Sequence, residues 1–188
     1  MRAAALFVIF GFFVDVHGSP PLNLSAALNA KGPVWVLKSS YLDKEGEQNV
    51  TCVRWQKENL TGDDYIFDLT YKVGDTYGEK RHVNAKLSEG SGNPVMTVKN
   101  STTGETTSYT LQLWNETEKC FLLTRQKESS MEIQSRTDAL PSSTEMVQCE
   151  LHVWHEQVTK GTFTACEKKY KEFCEHKEYE VFSEHECL

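Results

Sequence analysis

The sequence predicts a mainly β protein: an eight-stranded antiparallel up-and-down barrel, followed by a C-terminal α-helix and stapled by three disulfides. Three observations support this prediction. Short apolar runs alternate with clusters of turn-forming residues from residue 33 to residue 154. Helical spacing of apolar side chains is concentrated near the C-terminus. The six cysteines form an even set, as a disulfide framework requires.

Eight apolar runs define the predicted strands, and residues such as Gly, Asp, Asn and Pro that favour turns separate them. The runs are Val34–Tyr41, Val50–Trp55, Tyr65–Val73, Arg81–Leu87, Val95–Val98, Thr107–Trp114, Cys120–Thr124 and Met146–Trp154. Their short connections indicate a meander, and a meander of eight strands closes well into a barrel. The connection from Lys127 to Glu145 is long and polar, and at a barrel mouth it would act as a lid.

Alternation with a period of two is clearest in the third and sixth strands. One face of the third strand carries apolar and aromatic side chains, namely Tyr65, Phe67, Leu69 and Tyr71. The sixth strand alternates Tyr109, Leu111 and Leu113 with Thr110, Gln112 and Trp114. Such a face lines a pocket in a barrel or packs the core of a β-sandwich, and the alternation alone does not choose between these.

A helix is predicted from about Ala165 to His176, with Cys166 and Cys174 near one face. Eight helical residues separate these two cysteines by ~12 Å, which is too far for a mutual disulfide. Each cysteine must therefore reach a different partner. A helical turn at Leu24–Leu28 and a final strand at Tyr179–Ser183 complete the predicted elements.

Residues 1–18 are predicted to be a secretory signal peptide, and residues 19–188 a single domain. Arg2 precedes an unbroken apolar run from Ala3 to Val14, which is too short to span a membrane, and Gly18 offers a small residue for cleavage. No later segment approaches 18 consecutive apolar residues, so we expect no membrane anchor. The chain is therefore expected to be secreted and to work outside the cell.

The composition agrees with an extracellular protein. Cysteines in an oxidising compartment form disulfides, and sequons predict glycans on exposed loops. The five sequons begin at Asn23, Asn49, Asn59, Asn100 and Asn115. The net charge of −7 argues against nucleic acid and against anionic membrane surfaces as partners. It is compatible with cationic ligands, although a charge of this size is also ordinary for solubility.

The sequence offers no catalytic constellation. It lacks the Gly-x-Ser-x-Gly, phosphate-loop and His-Glu-x-x-His motifs. Paired cysteines leave no thiol nucleophile. His152 and His155 are three residues apart, so on a strand they point to opposite faces and do not share a metal. We therefore expect a binding protein, not an enzyme, with neither a metal nor a cofactor.

The cysteine framework carries a resemblance to a known family. Cys52 follows the opening strand Val34–Tyr41, Cys120 starts the seventh strand, and the run Cys149-Glu150-Leu151 leads to Cys166. The last cysteine, Cys187, lies 21 residues after Cys166 in the ending VFSEHECL. In these features the chain resembles tick salivary lipocalins of the histamine-binding-protein type, over essentially the whole mature chain.

This resemblance implies an eight-stranded barrel with the C-terminal helix packed outside it. It also implies the disulfides Cys52–Cys187 and Cys120–Cys166, which leave Cys149–Cys174 as the third pair. Six cysteines allow 15 connectivities, so the sequence alone would not choose this one.

The family sequesters host mediators at the feeding site. Some members hold histamine or serotonin with carboxylates and aromatics, others hold eicosanoids, fatty acids or cholesterol, and some bind complement protein. The amine-binding pattern is Cys-Asp/Glu-aliphatic, then Glu-Leu-Trp/Tyr, then Cys. Here Phe121 follows Cys120 where an acid is expected, and His152 follows Glu150-Leu151 in place of the aromatic. One carboxylate is thus missing, and Asp68 and Glu150 are the remaining candidates.

We therefore expect a secreted carrier that captures a small host mediator, either an amphiphilic lipid such as an eicosanoid or sterol, or a biogenic amine. The alternative is an immunomodulator that binds a host protein, such as a complement inhibitor. Phe121 is expected to make the pocket more apolar than in the amine binders. The expected pocket residues are Trp35, Tyr41, Tyr65, Phe67, Tyr71, Tyr109, Leu111, Phe121 and Glu150.

Overall fold

The structure, a computed structural model, describes residues 22–89, 92–100, 103–128, 147–174 and 178–188. The predicted signal peptide and residues 129–145 of the predicted lid lie outside this part of the chain. Among the described residues, no helix has the length and apolar character needed to cross a membrane. The elements are α1 (Leu24–Leu28), β1 (Val34–Ser39), β2 (Lys44–Glu45), β3 (Gln48–Thr61), β4 (Asp64–Val73), β5 (Thr76–Tyr77), β6 (Arg81–Ser88), β7 (Val95–Lys99), β8 (Thr106–Asn115), β9 (Cys120–Glu128), β10 (Gln148–Trp154), α2 (His155–Val158), α3 (Thr164–Phe173), β11 (Tyr179–Glu180) and α4 (Glu184–Cys187).

Eight of these strands form a closed antiparallel barrel. Their order is β1-β10-β9-β8-β7-β6-β4-β3, and β1 pairs with β3 to close the circle. The closing contacts place Val34 opposite Trp55 and Trp35 opposite Arg54. The predicted up-and-down barrel is therefore confirmed, and the β-sandwich alternative is excluded. The two-residue strands β2, β5 and β11 only extend the edges of β3, β4 and β1.

Two strands run further than the sequence predicts. β3 continues past Trp55 to Thr61, and β9 continues past Thr124 to Glu128. The extra residues of β3 are mostly polar, so the hydrophobic pattern stops before the strand does. Pairing with β4 extends to Thr61 opposite Asp64, and Gly62 closes the turn between them with a φ of 60°. Backbone pairing in the hairpin, together with the partly buried Leu60, sustains this part of the barrel.

The barrel interior is filled from one end. Side chains of α1 belong to the same buried cluster as the inward residues of the strands, which we call the interior cluster. Leu24, Ala27 and Leu28 are fully buried there, and Trp154 Nε1 donates a hydrogen bond of 2.8 Å to the carbonyl of Ala27. We call this end, plugged by α1, the closed end. The strands of the interior cluster contribute Val34, Trp55, Tyr65, Phe67, Ala85, Leu87, Met96, Leu111, Phe121 and Leu123.

A second buried cluster, the outer cluster, joins α3 and the C-terminal segment to the outside of the barrel. Cys166 and Tyr170 of α3 pack there with Leu122 of β9 and Leu151 of β10. The carboxylate of Glu118 accepts hydrogen bonds from the first turn of α3, at 3.1 Å from the backbone nitrogen of Ala165. The helix therefore packs outside, as the resemblance implied.

The C-terminal elements are shorter than predicted. α3 ends at Phe173, and residues 175 and 176 of the expected helix lie outside the described residues. The expected strand Tyr179–Ser183 is a strand only over Tyr179–Glu180. Val181 and Phe182 leave the sheet edge and are buried, and Ser183 is then the N-cap residue of the single turn α4.

Three disulfides attach these outer elements to the barrel. They join Cys52 to Cys187, Cys120 to Cys166 and Cys149 to Cys174, the same pairs that the resemblance implied. No cysteine is free. Two of the bridges hold opposite ends of α3 to β9 and β10, and the third fixes the C-terminus to β3.

Candidate functional site

A cavity of about 490 Å³ opens at the end of the barrel opposite α1. Its volume lies in the usual range for small-molecule sites. Side chains from β3, β4, β8, β9 and β10 form its wall, and the turns after β1 and β7 form its rim. The lining residues are Asp43, Lys44, Glu45, Val50, Val53, Trp55, Leu69, Tyr71, Arg81, Asn100, Glu105, Thr107, Tyr109, Arg125, Lys127 and Glu150.

Aromatic rings form the deep wall of this cavity. Trp55 meets Tyr109 edge-on, with ring centroids 5.8 Å apart, and lies 4.4 Å from the ring of His152. Phe121 stacks on the other side of His152 at 4.8 Å with parallel planes. The imidazole is therefore held between rings, and the wall presents both apolar area and the faces of π-systems.

A buried carboxylate, Glu150, lies at the bottom of the cavity. Alternation along β10 turns Glu150 and His152 inward, whereas Leu151 between them joins the outer cluster. His152 Nε2 donates a hydrogen bond of 2.8 Å to Glu150 Oε2. The Tyr41 hydroxyl donates to Glu150 Oε1, and Arg125 Nη1 lies 3.9 Å from the same oxygen. Only 5% of Glu150 is exposed.

These contacts keep Glu150 ionised. Burial by itself raises the pKa of Glu150, but the pairing with His152, the charge of Arg125 and the hydrogen bond from Tyr41 together hold it below its ordinary value. Burial, reinforced by the charge of Glu150, raises the pKa of Tyr41 and of Tyr109. Both phenols therefore stay neutral and can donate hydrogen bonds.

Arg125 is held between two carboxylates. Its Nη1 donates a hydrogen bond of 2.9 Å to Asp43 Oδ2 on the rim, and the guanidinium stacks 4.6 Å above the ring of Tyr41. The side chain is only 8% exposed. Arg125 thus links the deep carboxylate Glu150 to the rim of the cavity.

The structure brings together some of the expected pocket residues. Tyr71, Tyr109 and Glu150 line the cavity, and Tyr41 contacts Glu150 beside it. Four others lie deeper in the interior cluster, towards the closed end, and are not among the lining residues: Tyr65, Phe67, Leu111 and Phe121. They fill the barrel below the cavity.

Trp35 was expected to face inward, and the structure places it outside. Its ring packs 5.1 Å from Phe182, and its Nε1 donates a hydrogen bond of 3.1 Å to His155 Nδ1. In β1 it is Val34 that joins the interior cluster. Apolar residues flank Trp35 on both sides in the sequence, so no alternation marked which face of the strand points inward.

Asp68, the other candidate carboxylate, lies on the outer face of β4. Lys80 Nζ lies 2.6 Å from Asp68 Oδ2, and His82 Nδ1 lies 3.2 Å from its Oδ1. The hydrogen bond from Lys80, with further help from His82, lowers the pKa of Asp68 to about 2. The buried Asp68 carboxylate is therefore paired with the exposed Lys80 and is not among the residues that line the cavity.

Most of the lining residues are not among the expected pocket residues, and Trp55 and Arg125, with His152 beside them, are the most informative of these. The spacing of Glu150 and His152, two apart on a strand, already predicts that they share a face. Arg125 lies one residue past the predicted end of the seventh strand, so its inward direction could not be inferred. His152 contacts Glu150 inside the barrel, whereas His155 contacts Trp35 outside it.

One group of metal-ligand residue types occurs within the described parts of the chain: Glu118, Cys120 and Cys166. Both cysteines are in a disulfide and offer no thiolate, and Glu118 accepts from the backbone of α3. This group is therefore structural.

Comparison with solved structures identifies the fold. Japanin from Rhipicephalus appendiculatus, a tick salivary lipocalin solved in complex with cholesterol, matches with a TM-score of 0.54 and 18% identity, covering 85% of this chain and 97% of Japanin. Apocrustacyanins C2 and C1 match with TM-scores of 0.46 and 0.47 at 13% identity, over 85% and 86% of this chain and 78% and 79% of theirs. No protein-family model matches the sequence, and no curated protein matches it significantly. With the closed barrel, the Japanin match shows that this chain has the lipocalin fold, and the resemblance to tick salivary lipocalins is confirmed at the level of the fold.

Proposed function

From the lipocalin fold of this chain, we propose that it is a secreted carrier that captures a small amphiphilic host mediator and so suppresses inflammation and immunity. The observation that carries the proposal is the cavity of about 490 Å³, with an aromatic and aliphatic wall below a charged rim. Burial of apolar ligand surface against that wall contributes ~25 cal/mol for each Å² removed from water. Polar side chains at the rim and at the bottom of the cavity offer hydrogen bonds to a polar head group.

The charges that line the cavity favour a ligand without a strong net charge. Four carboxylates and four basic side chains face it, and several are paired with one another, as Asp43 is with Arg125. A sterol, with one hydroxyl on an apolar body, suits this balance. Japanin, whose fold this chain shares, was solved with cholesterol bound, which supports including sterols among the candidates.

A biogenic amine is the second candidate ligand. Glu150 is a buried anion, and the rings of Trp55 and Tyr109 lie beside it. A buried ammonium needs an acidic partner and gains from the faces of aromatic rings. These residues supply both, although Arg125 and His152 already engage the carboxylate.

Native mass spectrometry of the secreted protein, followed by extraction and identification of the bound molecule, tests the proposal directly. Titration calorimetry with cholesterol, arachidonate, leukotriene, histamine and serotonin would then rank the ligand classes. Tight histamine binding that disappears in Glu150→Gln would favour the amine. Binding of none of these molecules by the folded protein would overturn the carrier proposal and favour the protein-binding alternative.

A matched pair of variants locates the binding site. Thr107 lines the cavity, and its neighbour Ser108 lies on the opposite face of β8, where it pairs with Thr97 and Gln126 outside the barrel. Thr107→Trp should fill the cavity and weaken binding at least tenfold. Ser108→Trp adds the same bulk outside and should leave affinity within a factor of two. Equal effects of the two variants would place the ligand elsewhere.

A further inference from the structure

The charged residues at the bottom of the cavity influence which polar head group a ligand can place there. Glu150 has two carboxylate oxygens, and both are engaged. His152 Nε2 lies 2.8 Å from Oε2, while Oε1 accepts from Tyr41 and has Arg125 Nη1 at 3.9 Å. An incoming ammonium would have to compete with a cation that is already in place.

Arg125 is fixed in this position by contacts on several sides. Asp43 accepts its hydrogen bond at 2.9 Å, and the ring of Tyr41 lies 4.6 Å from the guanidinium. On β8 the neighbouring residue is Tyr109, directly opposite Arg125 in the sheet register. A guanidinium held by stacking and by a carboxylate does not swing aside easily, because it would lose both contacts.

We propose that Arg125 is a specificity-determining residue: it acts as a resident cation that neutralises Glu150, so the cavity takes ligands with an uncharged polar head in preference to ammonium compounds. This inference deepens the proposed function and rests on it. Removal of the guanidinium would leave Glu150 with its hydrogen bonds to Tyr41 and His152 but without this fixed positive charge. Such a site attracts ammonium groups.

Matched ligand pairs test the inference on the unmodified protein. Tryptophol and tryptamine share an indole ring and differ in hydroxyl against ammonium, and dodecan-1-ol and dodecylamine make the same comparison for an alkyl chain. Calorimetry at pH 7 should give each alcohol an affinity equal to or greater than that of its amine. An amine that binds more than tenfold more tightly than its alcohol would overturn the inference.

The variants make the same test in the opposite direction. In Arg125→Gln, the affinity for the amines should rise at least tenfold relative to the alcohols, and the rise should vanish in the double variant with Glu150→Gln. Arg125→Lys keeps a cation at the position and should show no such rise. A folded Arg125→Gln protein without the gain contradicts the inference. If thermal unfolding shows that this variant does not fold, the affinities of the unmodified protein for the alcohol and amine pairs test the inference alone.

The outcomes separate this inference from the proposed function. If the unmodified protein binds neither the pairs nor cholesterol, the proposed carrier function fails, and the inference fails with it. If it binds amines with a large preference, the carrier function stands and only the role of Arg125 is wrong.

Discussion

At the scale of single residues, the most constrained group is the carboxylate of Glu150. It is an anion inside a barrel, where an unpaired charge would be costly, and three side chains compensate it. Each compensating residue comes from a different strand or turn. The site therefore depends on the pairing of β1 with β10, which brings the turn after β1 next to β9 and β10.

Tyr41→Phe removes one donor from this carboxylate and should lower the free energy of unfolding by ~1–3 kcal/mol, because a buried acceptor is left with fewer partners. Urea unfolding monitored by fluorescence measures the change. Tyr71→Phe is the matched control, since the Tyr71 hydroxyl donates to Glu45, whose side chain is 57% exposed. A larger loss in Tyr71→Phe than in Tyr41→Phe would contradict the assigned hydrogen bonds.

The lowered pKa of Asp68 predicts how the free energy of unfolding changes with pH. Its pKa in the folded protein is lowered to about 2 from an ordinary value of 3.8, so its pairing stabilises the fold above pH ~4. This contribution is lost as the pH falls from about 4 to about 2. The stability difference between the unmodified protein and Asp68→Asn should therefore shrink over that interval, as measured by urea unfolding at each pH. Asp75→Asn, an exposed change away from this pair, should show less dependence, and a difference that widens on acidification would refute the assignment.

At the scale of elements, the sequence predicts the positions of the strands better than their ends or faces. Each of the eight apolar runs overlaps one barrel strand, because inward residues alternate with polar ones along the strand. The predicted end of a strand is wrong where backbone pairing continues through polar residues, as in β3. The inward face of a strand is not predicted where both sequence neighbours of a residue are apolar, as at Trp35. Arg125 lies in such an extension, because the apolar run of the seventh strand ends at Thr124 whereas β9 continues to Glu128.

The three disulfides that hold α3 and the C-terminus to the barrel can be checked by disulfide mapping. Non-reducing peptide mapping should give Cys52–Cys187, Cys120–Cys166 and Cys149–Cys174 with no free thiol. A Cys166–Cys174 peptide would be incompatible with α3, which separates the two by eight residues. Replacement of Cys52 and Cys187 by serine should release the C-terminal segment and lower the free energy of unfolding by ~2–5 kcal/mol, measured by urea unfolding.

At the scale of the whole molecule, the barrel has one plugged end and one open end. The sequence predicts the meander and its closure, because short connections leave few other arrangements. It does not predict the cavity, since its shape depends on which inward side chains fill the closed end. Tyr65, Phe67, Leu111 and Phe121 fill that end, and the same alternation would have allowed them to line the pocket.

The sequons are distributed over both ends of this molecule, and most should carry glycans. Asn23 and Asn115 lie at the closed end, where their side-chain oxygens accept backbone hydrogen bonds and leave the amide nitrogen as the acceptor for sugar. Enzymatic deglycosylation under native conditions should lower the mass clearly and leave ligand affinity intact, as measured by calorimetry. Thr117→Ala, which abolishes the Asn115 sequon but keeps the asparagine, is the single-site control. Loss of affinity on full deglycosylation would implicate the rim, where Asn100 lines the cavity.

The bridge between Cys52 and Cys187 has a consequence for biosynthesis. The two residues are 135 positions apart, so on the proposed secretory route a ribosome adding roughly 5–20 residues each second would deliver Cys52 to the lumen ~7–27 s before its partner. During this interval the first cysteine to follow is Cys120, whose own partner lies a further 46 positions along the chain. An early bridge between these two would be non-native and would have to be exchanged. Efficient production therefore requires a thiol–disulfide isomerase, and a host that oxidises cysteines in order of appearance would accumulate mispaired chains.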